Sequence, residues 1–313
     1  MSLIEVSDLT FEYPGKKALD KVSFTIEPGS VTALVGPNGA GKTTLMNCLA
    51  ALDRPISGHI RFQDVSVLDN PRECHRMIGF LPDFFGLYDD LTVRQCLEYM
   101  ALAQGIVHNK IDDTIKITSK RVHLLDRLDD KAGNLSRGLR QRLAIGQAII
   151  HDPKIILLDE PASGLDPKAR HQLSQLLLEL RDEGKTLMVS SHILTELEDY
   201  STHMMVIHDG VLQEHRAIGA YKNDNVRTLL LTLFRPAEGL DFKLSQMSQV
   251  SEVSTIEAGE ASFEFLFQGT HEEQHQLLKQ LLDQGWPVCG LAIREKNLQE
   301  TYLEKFGAHP HAS

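Results

Sequence analysis

Apolar positions along the chain follow two periods. Alternation over residues 3–12 and 22–27 predicts two strands, joined through the turn formers Tyr13, Pro14, Gly15 and Lys16. Pro28 and Gly29 turn the chain again, into an apolar run at 31–35 and then helical spacing at 45–50. Short strands are expected at 60–62 and 77–81. The next stretch, 82–90, sets Phe84, Phe85 and Tyr88 among Pro, Asp and Gly, and reads as an exposed loop. Its Phe pair either meets a partner or folds back on its own domain. Residues 92–104 predict a helix capped by Thr92, with Val93, Leu97, Met100 and Ala101 on one face. Helical spacing with many charges continues over 111–128, and an apolar helix follows at 143–150. The runs 155–158 and 185–191 are apolar on both faces, as strands of a central parallel sheet are.

Past Gly219 the pattern changes. Residues 221–225 are polar and read as a linker. Strands are expected at 227–234, 262–267 and 287–294, and helices at 272–284 and 298–306. In the first of these helices Leu277, Leu278, Leu281 and Leu282 are expected on one side. About ninety residues of this kind make a small α+β domain near the minimum that buries its own core.

Between the run 31–35 and the helix at 45–50 stands Gly36-Pro37-Asn38-Gly39-Ala40-Gly41-Lys42-Thr43-Thr44. This is G-x-x-x-x-G-K-T in a strand–loop–helix setting, with every position filled. Glycines let backbone N–H groups turn inward around phosphate oxygens, and the helix start adds positive potential. Lys42 reaches terminal phosphates, and the Thr43 hydroxyl suits Mg²⁺.

A second centre follows the strand 155–158. Asp159 at its carboxyl end suits a water-mediated Mg²⁺, and Glu160 points elsewhere and can polarise a water for attack on phosphate. Alone, the pair would read as an acidic cap for the next helix; with the phosphate loop, the catalytic reading is preferred. His192 follows the strand 185–191, a third strand end with polar chemistry, and is a candidate phosphate sensor. Ser136 and Gly138 at a helix start would make an anion site. Tyr13, at a strand end, is either a half-buried aromatic or a base-stacking ring.

Composition narrows the classes. The net charge of −11 disfavours a nucleic-acid partner. Cys48, Cys74, Cys96 and Cys289 form no C-x-x-C pair and read as reduced structural residues. No apolar run reaches the roughly 18 residues a membrane helix needs, and the start of the chain has no signal-peptide core, so a cytosolic, at most peripheral, protein is expected.

In their order, these motifs resemble the nucleotide-binding domain of ABC transporters over residues 3–215. Tyr13 falls at the adenine-stacking aromatic, 36–44 at Walker A, 135–142 at the signature motif, 155–160 at Walker B, 163–166 at the D-loop and His192 at the switch histidine. The resemblance implies an α/β fold of the ABC P-loop ATPase type in residues 1–220. That fold has a parallel core sheet, an antiparallel N-terminal sheet and a helical insertion over 84–150; the α+β domain would be 221–313. It further implies an ATPase with ATP and Mg²⁺, working as a head-to-tail homodimer when ATP is bound. Ser136 and Gly138 would then act in trans on the partner's nucleotide, and Asp166 would lie at the seam. A separate polytopic membrane subunit would dock on Phe84, Phe85 and Tyr88, holding the chain to the inner face of the membrane. Export is the expected direction.

Two departures stand out. Asp83 occupies the place of a usual Gln; it remains a metal candidate, through water, with its contact to the attacking water in question. Arg137 and Leu139 replace the usual Gly and Gln of the signature, while Ser136 and Gly138 are kept. In the tail, His271 and His275 lack a third ligand and read as a solvated helix face. The alternatives are an ABC ATPase acting on nucleic acid or the ribosome, against which the charge and the absence of coiled-coil or cysteine modules speak, and a regulatory ATP-binding module without transport.

Overall fold

Tyr13 pairs with Lys16 across Pro14 and Gly15, closing a hairpin of β1 (Ile4–Tyr13) and β2 (Lys16–Ile26). Gly15, at φ +80°, supplies the backbone that this turn requires. The second strand begins six residues before the alternation predicts. Its register shifts between Leu9↔Val22 and Phe11↔Leu19, and Lys21 sits at φ +50°, so a bulge hides the period over 16–21.

The computed structural model describes residues 2–191, 197, 200–218, 226–256 and 261–294. It divides into the units Met1–Ile218 and Gly219–Ser313. The expected linker at 221–225, the helix at 298–306 and His192 lie outside the described residues.

The first unit continues through β3 (Val31–Val35), α1 (Lys42–Leu49), β4 (Ser57–Phe62), β5 (Val65–Ser66), α2 (Pro71–His75) and β6 (Ile78–Leu81). Then come α3 (Val93–Ala103), α4 (Ile111–Arg121), α5 (Arg137–Ile149), β7 (Ile155–Leu158), α6 (Pro167–Asp182), β8 (Thr186–Ser191), β9 (His203–His208) and β10 (Val211–Ala217). An antiparallel sheet in the order β2-β1-β4-β5 faces a second sheet ordered β10-β9-β3-β8-β7-β6. Within the latter, β3, β6, β7, β8 and β9 run parallel, and β10 adds an antiparallel edge. One core joins the sheets across α1, with Ile4, Phe62, Leu45, Met46, Leu157 and Met188 buried together. Truncating a ring such as Phe62 to Ala would cost about 3–5 kcal/mol.

Thr92 and Gln95 form a full capping box, which fixes where α3 starts. On α3 the buried residues are Val93, Cys96, Leu97 and Ala101; Met100 is only half-buried. The helix predicted over 111–128 stops at Arg121, because His123 takes φ +56° and a 3-10 turn follows at Leu125–Arg127.

The second unit is one antiparallel sheet, β12-β13-β11-β14, built from β11 (Val226–Leu233), β12 (Val250–Thr255), β13 (Ser262–Gln268) and β14 (Val288–Ile293). Helices α7 (Leu240–Ser245) and α8 (His271–Asp283) pack with it around Phe263, Phe265 and Phe267. Leu277 and Leu281 are buried there, but Leu282 is 51% exposed. At 100° per residue it has already turned off the apolar stripe.

Candidate functional site

β3 delivers the chain into 36–41 where the backbone is crowded. A Cβ on Gly36 would stand 2.2 Å from the Ile207 carbonyl oxygen, and one on Gly41 2.5 Å from that of Ala18. Gly39 and Gly41 also hold φ +80° and +109°. Only glycine meets both demands, so the loop's shape is dictated by these positions. Helix α1 starts at once on Gly41 with no side-chain cap, which leaves its first-turn N–H groups to an outside anion. Nucleotide phosphates fit that cradle.

Lys42 is buried, at 6% exposure. Its Nζ donates to the Gly36 carbonyl at 2.7 Å and the Pro37 carbonyl at 3.3 Å, and stands 3.6 Å from a Glu160 carboxylate oxygen. Thr43 Oγ1 donates to Asp159 Oδ2 at 2.7 Å. The other Asp159 oxygen accepts from Ser190 Oγ at 2.5 Å. Ser190 Oγ in turn accepts the backbone N–H of Glu160 at 2.8 Å. One buried hydroxyl on β8 therefore fixes both carboxylate residues of the neighbouring strand end.

Asp159 is buried while Glu160 is partly open, and Glu160 takes φ +48°. A bulky residue reaches this left-handed conformation only where its surroundings hold it, and such strain gathers at working sites. The turn sends Glu160 into a cleft of about 260 Å³ that is also lined by Tyr13, Asn38, Lys42, Thr43, Thr44 and Asp83. The Tyr13 hydroxyl lies 3.5 Å from Thr44 Oγ1, and its ring meets Phe11 edge-on at 4.9 Å. Thr43 and Asp159 offer hard oxygens side by side, the donor type Mg²⁺ prefers. Among the described residues no group of three or more His, Cys, Asp and Glu stands together as a self-sufficient metal cage. Oxygens of a bound phosphate would have to share such an ion.

Residues 19–163 match the family model for ABC transporters. Over 213 residues the chain is 36% identical to the ABC transporter ATP-binding protein NatA of Bacillus subtilis, covering 66% of this chain and 87% of that one. The chain belongs to the ATP-binding proteins of ABC transporters. It is 30% identical over 308 residues to the bacitracin transport ATP-binding protein BcrA of Bacillus licheniformis, which spans 98% of each. Solved relatives agree. An ATP-binding subunit of an ABC transporter superposes with TM-score 0.63 at 29% identity, covering 71% of this chain and 92% of that one. A dimeric cassette bound to ADP and Pi does so with TM-score 0.62 at 25% identity, covering 69% and 98%. This ABC ATPase is thus an ATP-hydrolysing subunit that powers transport.

Within the ABC ATPase, the cleft gathers Tyr13, the Walker A loop, Asp83 and Glu160, with Asp159 behind Thr43. Ser136, Gly138 and Asp166 do not line it. Ser136 caps α5, its Oγ accepting from the Leu139 N–H at 3.4 Å. Asp166 caps α6 in the same way, through the Ala169 N–H at 2.9 Å. His192 is outside the described residues. Two contributors escaped the sequence reading. Ser190 sits in a fully buried strand, where a polar residue is itself the signal, since buried hydroxyls need partners. Lys16 lines the cleft because the hairpin sets it opposite Tyr13.

Among the described residues no helix is long and apolar enough to cross a membrane. In the loop 82–90, Phe84 is 92% exposed and Tyr88 58%, with Phe85 half-buried. Tyr88 meets Tyr99 of α3 edge-on at 5.6 Å. The loop's end is tied to α5 by Arg140 Nη1 donating to Asp89 Oδ1 at 2.6 Å. In the second unit, His271 accepts from Arg227 at 3.0 Å on an exposed surface.

Proposed function

We propose that this ATPase drives export through a separate polytopic membrane subunit, acting as a head-to-tail homodimer with two ATP molecules in the seam. The observation that carries the reading is the split of its motifs. Tyr13, Walker A and Glu160 converge on one cleft, whereas Ser136, Gly138 and Asp166 stand outside it. A second copy would bring that second set to the nucleotide. A relative named for Nod factor export supports the direction, and one named for bacitracin transport supports the transport role.

In this account Tyr13 stacks on the adenine, and residues 36–44 wrap the phosphates. Lys42 exchanges its Glu160 partner for the terminal phosphates, which frees the carboxylate to accept a proton from the attacking water. Ser136 and Gly138 of one copy and His192 of the other contact the same γ-phosphate. Thr43, and Asp159 through water, with Asp83 as a further candidate, would hold Mg²⁺, which would supply charge neutralisation at the phosphate oxygens. The membrane subunit docks on Phe84, Phe85 and Tyr88. Phe84 and Tyr88, exposed on one loop, support a partner surface there, and the Arg140–Asp89 pair would link that socket to the signature helix. On this reading the chain works in the cytoplasm, peripheral to the inner face of the membrane.

The test is affinity isolation of tagged Glu160→Gln chain from detergent-solubilised cells with ATP present. A stoichiometric polytopic protein, lost when Phe84→Ala and Phe85→Ala are combined, is expected. Recovery of ribosomes or nucleic acid instead would overturn the transport assembly.

A further inference from the structure

Arg137 follows the Ser136 cap of α5 and turns away from its own helix. Its Nη2 donates to the Ser163 carbonyl at 2.9 Å. The guanidinium also fills the space beside Gly164. A Cβ there would lie 2.2 Å from Nη2, 2.3 Å from Cζ and 2.5 Å from Nη1. Gly164 holds φ +66°, which strains other side chains, and a Cβ there would push the Arg137 guanidinium out of its place. The two helix starts are close as well, since a Cβ on Gly138 would meet the Ala169 Cβ at 3.0 Å. The turn leads back to the reaction centre, because the Ser163 N–H donates to the Glu160 carbonyl at 3.0 Å. A short path therefore runs from the Ser136 helix start through Arg137 and Ser163 to Glu160, all within one chain.

We infer that Arg137 is a positioning residue that joins the two nucleotide sites of the dimer. The inference rests on the two-site reading above. There, Glu160 serves the ATP on its own phosphate loop, while Ser136 and Gly138 serve the ATP on the partner's. Arg137 stands between the two duties. Its bond is exposed and single, so it adds little to fold stability. What it restrains is Gly164, the residue of the turn with the most backbone freedom, two places before Asp166. Engagement of Ser136 with the partner's phosphate would shift α5, and Arg137 would carry that shift to the turn that holds Glu160.

Steady-state ATP hydrolysis by the purified full chain, as a function of ATP concentration, tests this in Arg137→Ala, Arg137→Lys and Gly164→Ala. Arg137→Ala should lower kcat about tenfold. It should also move the Hill coefficient from about 2 toward 1. Binding of a fluorescent ATP analogue to the monomer and the thermal midpoint should stay at wild-type values. Arg137→Lys should recover part of kcat, because its ammonium still donates to Ser163 but does not cover Gly164. Gly164→Ala should reproduce the loss of cooperativity from the other side of the contact. Wild-type kcat and Hill coefficient in Arg137→Ala would overturn the inference, as would a loss that simply follows a fall in thermal midpoint. A wild-type chain that hydrolyses ATP without cooperativity, and a Glu160→Gln chain that stays monomeric with ATP, would instead overturn the two-site reading beneath it.

Discussion

Ser190 and Asp159 share a 2.5 Å hydrogen bond at the buried floor of the site, and the same Ser190 oxygen accepts the Glu160 N–H. The bond sets the carboxylate that faces Thr43, and the N–H bond sets the residue that enters the cleft. Ser190→Ala removes both restraints while keeping the strand's volume. It leaves a buried carboxylate oxygen and a backbone N–H short of a partner, at about 1–3 kcal/mol each. Turnover should fall about tenfold or more, with ATP affinity changed by less than about threefold. Parallel turnover and nucleotide-binding titrations check this; a loss confined to affinity would detach Ser190 from Glu160.

On the proposed reading, Lys42 is the buried cation that meets the terminal phosphates. Buried and held by two carbonyl oxygens, it is already aimed and desolvated. Lys42→Ala should weaken ATP binding by at least about tenfold, since hydrogen bonds to charged groups are worth about 1.5–3 kcal/mol. Equilibrium titration with labelled ATP measures it, and unchanged affinity would contradict the phosphate-loop assignment.

Much of this site is legible in the sequence because its demands are local. Three glycines and a lysine at fixed spacing between a strand and a helix dictate the phosphate loop. The parallel strands announce themselves because burial on both faces leaves only Thr32 polar over 31–35 and no polar residue over 155–158. What escapes is non-local. Lys16 enters the cleft through a bulged strand whose alternation is broken at Lys21. Ser190 reaches Asp159 across 31 positions, and Arg137 reaches Ser163 across 26. No period within one element carries such pairings. Leu282 errs the other way, as an apolar residue one step off a helical stripe.

The thiols should sort by burial. Burial, aided by Asp53, pushes Cys48 up to about 12, and burial likewise raises Cys74 and Cys96. Cys289 is exposed. At pH 8, Cys48 should hold about a thousandfold less thiolate than an ordinary thiol. A thiol-reactive chromophore should therefore modify Cys289 first in native protein and all four cysteines after denaturation. Rapid native labelling of Cys48, Cys74 or Cys96, read by mass spectrometry, would contradict the buried packing of α1, α2 or α3.

Asp152 supplies a pH dependence of stability. Burial raises its pKa, but hydrogen bonds from Lys185 and Arg121, each at 2.8 Å, outweigh that and hold it below the usual value of 3.8. With the folded pKa depressed, the stabilisation is present above the ordinary pKa and is lost as pH falls through the folded one. Asp152→Asn keeps the φ of +57°, which Asn tolerates, and removes only the charge. The variant should be less stable at pH 7 by under about 1 kcal/mol, the Asp152 carboxylate being largely exposed although Lys185 and Arg121 are mostly covered. The gap should shrink in acid, as pH falls below 3.8 and through the lowered folded value. Chemical denaturation at neutral and acid pH checks the sign; a gap that widens in acid would be the wrong one.

The most direct test of the whole account is sedimentation of the Glu160→Gln chain with and without ATP, beside its ATP turnover. Turnover should sit near background, and the monomer should become a dimer with two bound ATP molecules. Wild-type turnover, or a chain that binds ATP fully and stays monomeric, would contradict Glu160 as the base and the paired sites as the working unit.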